Sequence, residues 1–96
     1  YGLDISPSEV LRRNFWFCAV DDPSAWALRH RIGVDRIMLE SDYPHPDSNW
    51  PNTQAVFQEQ LRDVPSGESA RISWQNASEL FRHPVPAAVQ DNPDAF

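Results

Sequence analysis

The feature that most limits the fold of this chain is a pair of apolar runs with the start and stop signals of a helix between them. The first run, from Asn14 to Val20, is nearly continuous in apolar and aromatic side chains, and the second covers Arg36 to Ser41. Short apolar runs of this kind are typical of strands that are covered on both faces, as in parallel sheets. The sequence therefore predicts two strands with a helix between them.

The intervening helix has a start signal and a stop signal. Asp22 can act as its N-cap, Pro23 fits the first helical position, and Gly33 ends it after about ten residues. A crossover of this length allows the strands to run parallel, which makes the segment a βαβ unit. Because two parallel strands do not form a stable sheet alone, we expect the rest of the sheet to come from elsewhere.

Helix signals also precede and follow this unit. Ser6, Pro7 and Glu9 match a capping box and predict a helix that ends near Arg13. A further helix is expected to start at Asn52, after the second strand.

The last third of the chain predicts two more segments. Ser66 is expected to cap the first. Asn76 followed by Glu79 predicts the N-cap of a final short helix, with Leu80 and Phe81 docked inward. We predict one structural segment over residues 1–83 and a proline-rich tail over 84–96.

Composition excludes several classes of partner. The formal net charge is -6, which argues against nucleic acid, because phosphate binding depends on clustered Lys and Arg. No run approaches the roughly 18 apolar residues of a membrane span. The only cysteine, Cys18, cannot form an internal disulfide, so a cytoplasmic location is expected. Its place within an apolar run predicts a buried, structural thiol.

The stretch LESDYPHPDSNWPN, residues 39–52, follows the second predicted strand. In parallel α/β folds, ligands bind at the carboxyl ends of strands, which is where Asp42 lies. Strand alternation places Met38, Glu40 and Asp42 on one face, where an acid needs a metal or a cation. Prolines 44 and 46 stiffen the loop between Asp42 and His45.

The run from Met38 to His45, with Trp50-Pro51 and the closing helix of Asn76-Ala77 and Leu80-Phe81, resembles the amidohydrolase-related metal-dependent hydrolases. That group includes aminocarboxymuconate semialdehyde decarboxylase. The resemblance implies the C-terminal portion of a (β/α)8 TIM barrel, with strands seven and eight and their flanking helices. By itself this portion is incomplete as a barrel, which needs about 250 residues.

The resemblance also implies a site and a reaction. In the family, the aspartate after the eighth strand binds a divalent metal and accepts a proton, so Asp42 takes both roles here, with zinc as the expected ion. His45 either contacts substrate or metal, or hydrogen-bonds within the loop. The implied reaction is hydrolysis of a small organic acid, ester or lactone by a metal-activated water, or a decarboxylation.

Two departures from the family pattern limit this interpretation. Glu40 stands where many relatives have glycine, and it would need a partner such as an arginine or a local twist of the strand. The usual His-x-His pair is absent, since His30 falls in the crossover helix and His83 follows the last one. The 96-residue chain is therefore expected to be inactive alone. The alternative is a noncatalytic module that binds a partner, or forms a homo-oligomer through its exposed strands.

Overall fold

A computed structural model describes residues 2, 4–90 and 92. It is a small α/β assembly in which helices pack against a two-stranded sheet. In chain order its elements are α1 (Pro7–Asn14), β1 (Phe17–Ala19), α2 (Pro23–Ala27), α3 (Arg29–Ile32), a 3-10 turn (Val34–Arg36), β2 (Ile37–Leu39), α4 (Thr53–Gln60), α5 (Ser66–Ala70), a π-helical segment (Arg71–Gln75), α6 (Asn76–Leu80) and α7 (Ala87–Gln90).

The two strands run parallel, as the sequence predicts. Their register pairs Phe17 with Ile37, Cys18 with Met38, and Ala19 with Leu39. Each strand is only three residues long, shorter than its apolar run. Neither strand has a second neighbour among the described residues, so each strand has one unpaired edge there.

The crossover confirms the predicted caps but is not one helix. The Asp22 carboxylate accepts hydrogen bonds from the N–H groups of Ser24 and Ala25, and Gly33 ends the second helix at a φ of 113°. Only glycine adopts such a backbone conformation readily. At Leu28 the backbone leaves helical geometry, with φ -99° and ψ 7°, and this divides the crossover into α2 and α3.

A single apolar core lies between the sheet and the helices. Ala19 and Ile37 face it from the strands, and the helices contribute side chains around Trp26 and Ile72. On the opposite face Met38 is buried, but its register partner Cys18 is exposed. The prediction that both faces of β1 are covered is therefore wrong, and so is the prediction that Cys18 is buried, since its side chain is exposed.

The final helical region differs from the prediction in three places. The backbone is helical on both sides of Asn76, which lies inside a continuous run from α5 to α6 and is not an N-cap. Pro65 takes the N-cap position of α5, so Ser66 is its first helical residue and caps nothing. Phe81 is 69% exposed and does not dock inward.

A helix lies near each end of the described chain. Around α1, the hydroxyl of Ser6 and the carboxylate of Glu9 form the predicted capping box. The short α7 lies in the segment predicted as a tail, whose last residues fall outside the described part. No helix in residues 4–90 has the length and apolar character needed to cross a bilayer.

Candidate functional site at the carboxyl ends of the strands

Asp42 lies three residues beyond the end of β2, at the carboxyl edge of the parallel pair. Its backbone has a φ of 58°, in the left-handed region, which aspartate adopts more readily than most residues. This conformation breaks the strand alternation. Asp42 therefore does not continue the face shared by Met38 and Glu40, contrary to the count along the sequence.

His45 is held against Asp42 by two contacts. Its backbone N–H donates to the Asp42 carbonyl oxygen at 2.8 Å, and its side-chain Nδ1 lies 3.3 Å from Asp42 Oδ2. The same nitrogen is 3.9 Å from Asp47 Oδ2, and the Asp47 N–H donates to it at 3.4 Å. The structure thus brings together the two residues that the sequence singles out, both of them partly exposed to solvent.

The loop between β2 and α4 is a succession of turns. The N–H of Ser48 donates to the His45 carbonyl at 3.0 Å, and the N–H of Asn52 donates to the Asn49 carbonyl at 2.8 Å. The Tyr43–Pro44 and Trp50–Pro51 peptide bonds are cis. These turns give the loop a defined path.

A polar tether and an aromatic pair also shape this loop. Asn49 Nδ2 donates to the Val20 carbonyl at 3.1 Å, beyond the end of β1, while Asn49 Oδ1 accepts from the Thr53 hydroxyl at 2.8 Å. The rings of Tyr43 and Trp50 meet edge to face, with centroids 5.2 Å apart. The loop after β2 is therefore attached to the end of the neighbouring strand.

Glu40 continues the strand pairing, since its N–H donates to the Ala19 carbonyl at 3.1 Å. The strand register places its side chain on the same face of the sheet as Cys18. Partial burial raises the pKa of the Cys18 thiol above its usual value of 9.0, and the negative charge and hydrogen bond of Glu40 raise it further. Glu40 takes part in none of the ion pairs within residues 4–90, so an arginine partner for it is not found in the described part of the chain.

The sequence did not predict a series of hydrogen bonds that joins α2, α4 and the end of β1. Trp26 Nε1 donates to Gln60 Oε1 at 2.6 Å, and Gln60 Nε2 donates to the carboxylate of Asp21. The Asp21 side chain is therefore directed to α4 rather than to Asp42. The amide of Gln60 is 39 residues from Asp21, so no local pattern could have indicated this contact.

The described residues do not form a complete metal site. Within residues 4–90, no group of three or more His, Cys, Asp or Glu side chains could hold an ion. Asp42 can offer carboxylate oxygens, but the acids and histidine around it belong to a single loop. His30 instead lies 3.4 Å from Glu68, away from the loop.

Comparison with models of known protein families shows the family to which this chain belongs. The sequence model of a family described as amidohydrolase matches residues 4–83. The chain belongs to the amidohydrolase family. Among curated proteins, none matches it.

Membership in the amidohydrolase family gives the fold and the site a context. Members of this family are typically TIM barrels and generally bind divalent metals. An α/β piece with two parallel strands is consistent with part of such a barrel. The matched region includes both strands and the whole loop that carries Asp42 and His45.

Proposed function

We propose that this chain supplies strands seven and eight, with their helices, to a metal-dependent (β/α)8 hydrolase or decarboxylase, and that Asp42 is an active-site carboxylate. The observation that carries the proposal is the position of Asp42. It lies three residues beyond the end of β2, and its Oδ2 is 3.3 Å from His45 Nδ1. Active sites of (β/α)8 barrels are built at this edge, from the loops that follow the strands.

The proposed substrate is a small organic acid, ester or lactone, and the proposed relatives are proteins similar to aminocarboxymuconate semialdehyde decarboxylase. The residues of this chain can hold and move a proton. The Asp42 carboxylate accepts it, and the His45 imidazole is close enough to orient that carboxylate or to share the proton. His45 thus acts beside Asp42 in the proposed site.

The proposed metal contribution of this chain is limited to one residue. The described residues form no complete metal site. We propose that Asp42 contributes one ligand to a divalent cation, zinc, whose other ligands belong to the remaining strands of the barrel. The 96-residue chain alone would then be inactive.

Replacement of Asp42 in the complete barrel protein tests this function. Asp42→Asn should lower turnover by at least about a hundredfold, the usual scale of a lost proton acceptor. It should also lower the zinc content measured by elemental analysis. His45→Gln should lower turnover less, because it removes the neighbour and leaves the carboxylate in place.

Asp47→Asn is the matched control, because Asp47 belongs to the same loop and lies farther from His45 Nδ1 than Asp42 does. We expect it to keep normal turnover and zinc content. Unchanged activity in Asp42→Asn would refute the assignment. The coding sequence offers an independent check, since a His-x-His after an apolar strand upstream of Tyr1 supports the barrel, and a start codon directly before Tyr1 contradicts it.

A second candidate function is self-association as a noncatalytic module. The observation that favours it is the free edge of β1, beside an apolar groove of about 290 Å³ lined by residues that include Phe17, Leu28 and Ile32. Unpaired strand edges favour pairing with another chain. Sedimentation of the 96-residue chain tests this candidate, and a monomer at all concentrations would exclude it.

A further inference from the structure

We propose that a pocket at the amino end of β2 binds a small oxyanion, a phosphate group, through the guanidinium of Arg36. Arg36 directly precedes β2, so the pocket lies at the end of the strand opposite to the Asp42 loop, and the proposal does not depend on the proposed function. The pocket has a volume of about 340 Å³. Its lining includes Trp16, Arg36, Arg71, Asn76 and Arg82.

The first step is the environment of Arg36. Its guanidinium carbon lies 4.1 Å from the centroid of the Trp16 ring, a contact that holds the cation against the wall of the pocket. The Arg36 side chain is only 21% exposed, and its Nη1 atom is buried without a hydrogen-bond partner in the described part of the chain. A cation in this situation is costly to keep unless a negative charge lies nearby.

The second step is that the carboxylates of the pocket balance this charge poorly. Asp35 Oδ2 is 3.8 Å from Arg36 Nε, beyond hydrogen-bond distance, and the Asp35 side chain is 63% exposed. The Glu79 carboxylate is 65% exposed and accepts two hydrogen bonds from Arg71, at 2.6 and 3.1 Å. Because water screens exposed carboxylates, the half-buried charge of Arg36 remains available to a ligand.

The third step is the charge of the pocket as a whole. Three guanidinium groups line it, those of Arg36, Arg71 and Arg82, against the two carboxylates of Asp35 and Glu79. The pocket is thus positive by one charge, in a chain whose net charge is -6. Each guanidinium offers several N–H donors in a planar fork that matches the oxygens of a phosphate group. A small dianion suits this lining better than a neutral molecule does.

Titration of the full-length protein with inorganic phosphate at constant ionic strength tests the proposal. Binding is followed by the NMR shifts of arginine Nε–H groups and side-chain amides. Phosphate should shift the signals of Arg36 and Asn76 in a saturable manner and leave those of Arg62, outside the pocket, unchanged. Acetate should bind about tenfold more weakly, because it carries one charge and phosphate carries nearly two.

Three variants assign the binding to the pocket. Arg36→Gln should weaken phosphate binding about tenfold, the scale of one lost hydrogen bond to a charged group. Arg82→Gln should weaken it about threefold, as expected for an exposed charge, and it leaves the contact between Arg36 and Trp16 in place. Arg62→Gln is the matched control, because it removes the same charge from an exposed position outside the pocket, and it should bind phosphate normally.

Three results would overturn the proposal. They are the lack of saturable phosphate binding, acetate bound as tightly as phosphate, and equal losses of affinity in Arg36→Gln and Arg62→Gln. The first is the result expected if a carboxylate from another part of a longer chain fills the pocket. If Arg36→Gln does not fold, Arg82→Gln decides, and normal phosphate affinity in that variant would contradict the site.

Discussion

The side-chain amide of Asn76 donates a hydrogen bond to the backbone carbonyl of Ile37 at 2.8 Å, joining the last helical region to the start of β2. The same nitrogen donates to the Val34 carbonyl at 2.7 Å. Asn76 is only 2% exposed, and its bond to Ile37 is buried while its bond to Val34 is partly buried, so losing either donor is costly. Asn76 therefore fixes the turn that leads into the strand before the Asp42 loop.

Asn76→Ala should lower the free energy of unfolding by about 3 kcal/mol, because it leaves one buried and one partly buried carbonyl group without this donor. Urea unfolding followed by tryptophan fluorescence measures the change. Asn14→Ala is the matched control, since Asn14 is exposed and donates only to a carbonyl of its own helix. We expect that control to change stability by less than about 0.5 kcal/mol. Equal losses in the two variants would contradict the role of Asn76.

The role of Asn76 shows which contacts the sequence could not reveal. The capping of α1 by Ser6 and of α2 by Asp22 was predicted, because a cap and its partners lie within three residues of each other. Asparagine is a common N-cap residue, but the side chain of Asn76 bonds to Ile37, 39 residues away. The local pattern therefore predicted a cap where the residue instead makes a long-range tertiary contact.

The candidate site was also only partly predictable from the sequence. The position of Asp42 follows from the strand that precedes it, and the parallel pairing confirms that strand. The left-handed backbone of Asp42 and the contact between Cys18 and Glu40 were not predictable. Both depend on how the chain leaves the sheet and on the neighbouring strand, which apolar periodicity does not describe.

The ion pair between Arg71 and Glu79 should make stability depend on pH at the acid end. Two hydrogen bonds from the guanidinium, at 2.6 and 3.1 Å, hold the pKa of the Glu79 carboxyl below its usual 4.5. A lowered pKa stabilises the fold above the unfolded value, and this contribution is lost as the pH falls through the folded value. Glu79→Gln should therefore be less stable than the normal chain at pH 7, and the difference should disappear at strongly acidic pH. Equal differences in urea midpoint at both pH values would contradict this.

The tether from Asn49 to Val20 should control the order of the Asp42 loop. Asn49→Ala removes the bond to the Val20 carbonyl and also the acceptor for Thr53, so the turns between β2 and α4 lose their attachment. Amide hydrogen exchange over residues 43–48 should become faster by about tenfold, while exchange in α5 stays unchanged. Asn52→Ala is a control from the same loop, because its side chain caps nothing. Similar acceleration in both variants would rule out the tether.

The thiol of Cys18 should report directly on Glu40. Burial and the carboxylate raise the pKa of this thiol, so the reactive thiolate is scarcer at pH 8 than in an ordinary cysteine, and alkylation by iodoacetamide should be slow for an exposed residue. Glu40→Gln removes the negative charge and should lower the pKa and speed the reaction. The comparison uses the initial rate of mass increase at pH 8, with Glu59→Gln as a control that should react like the normal chain. If Glu40→Gln reacts at the normal rate, the Glu40 carboxylate does not raise the pKa of the thiol in solution.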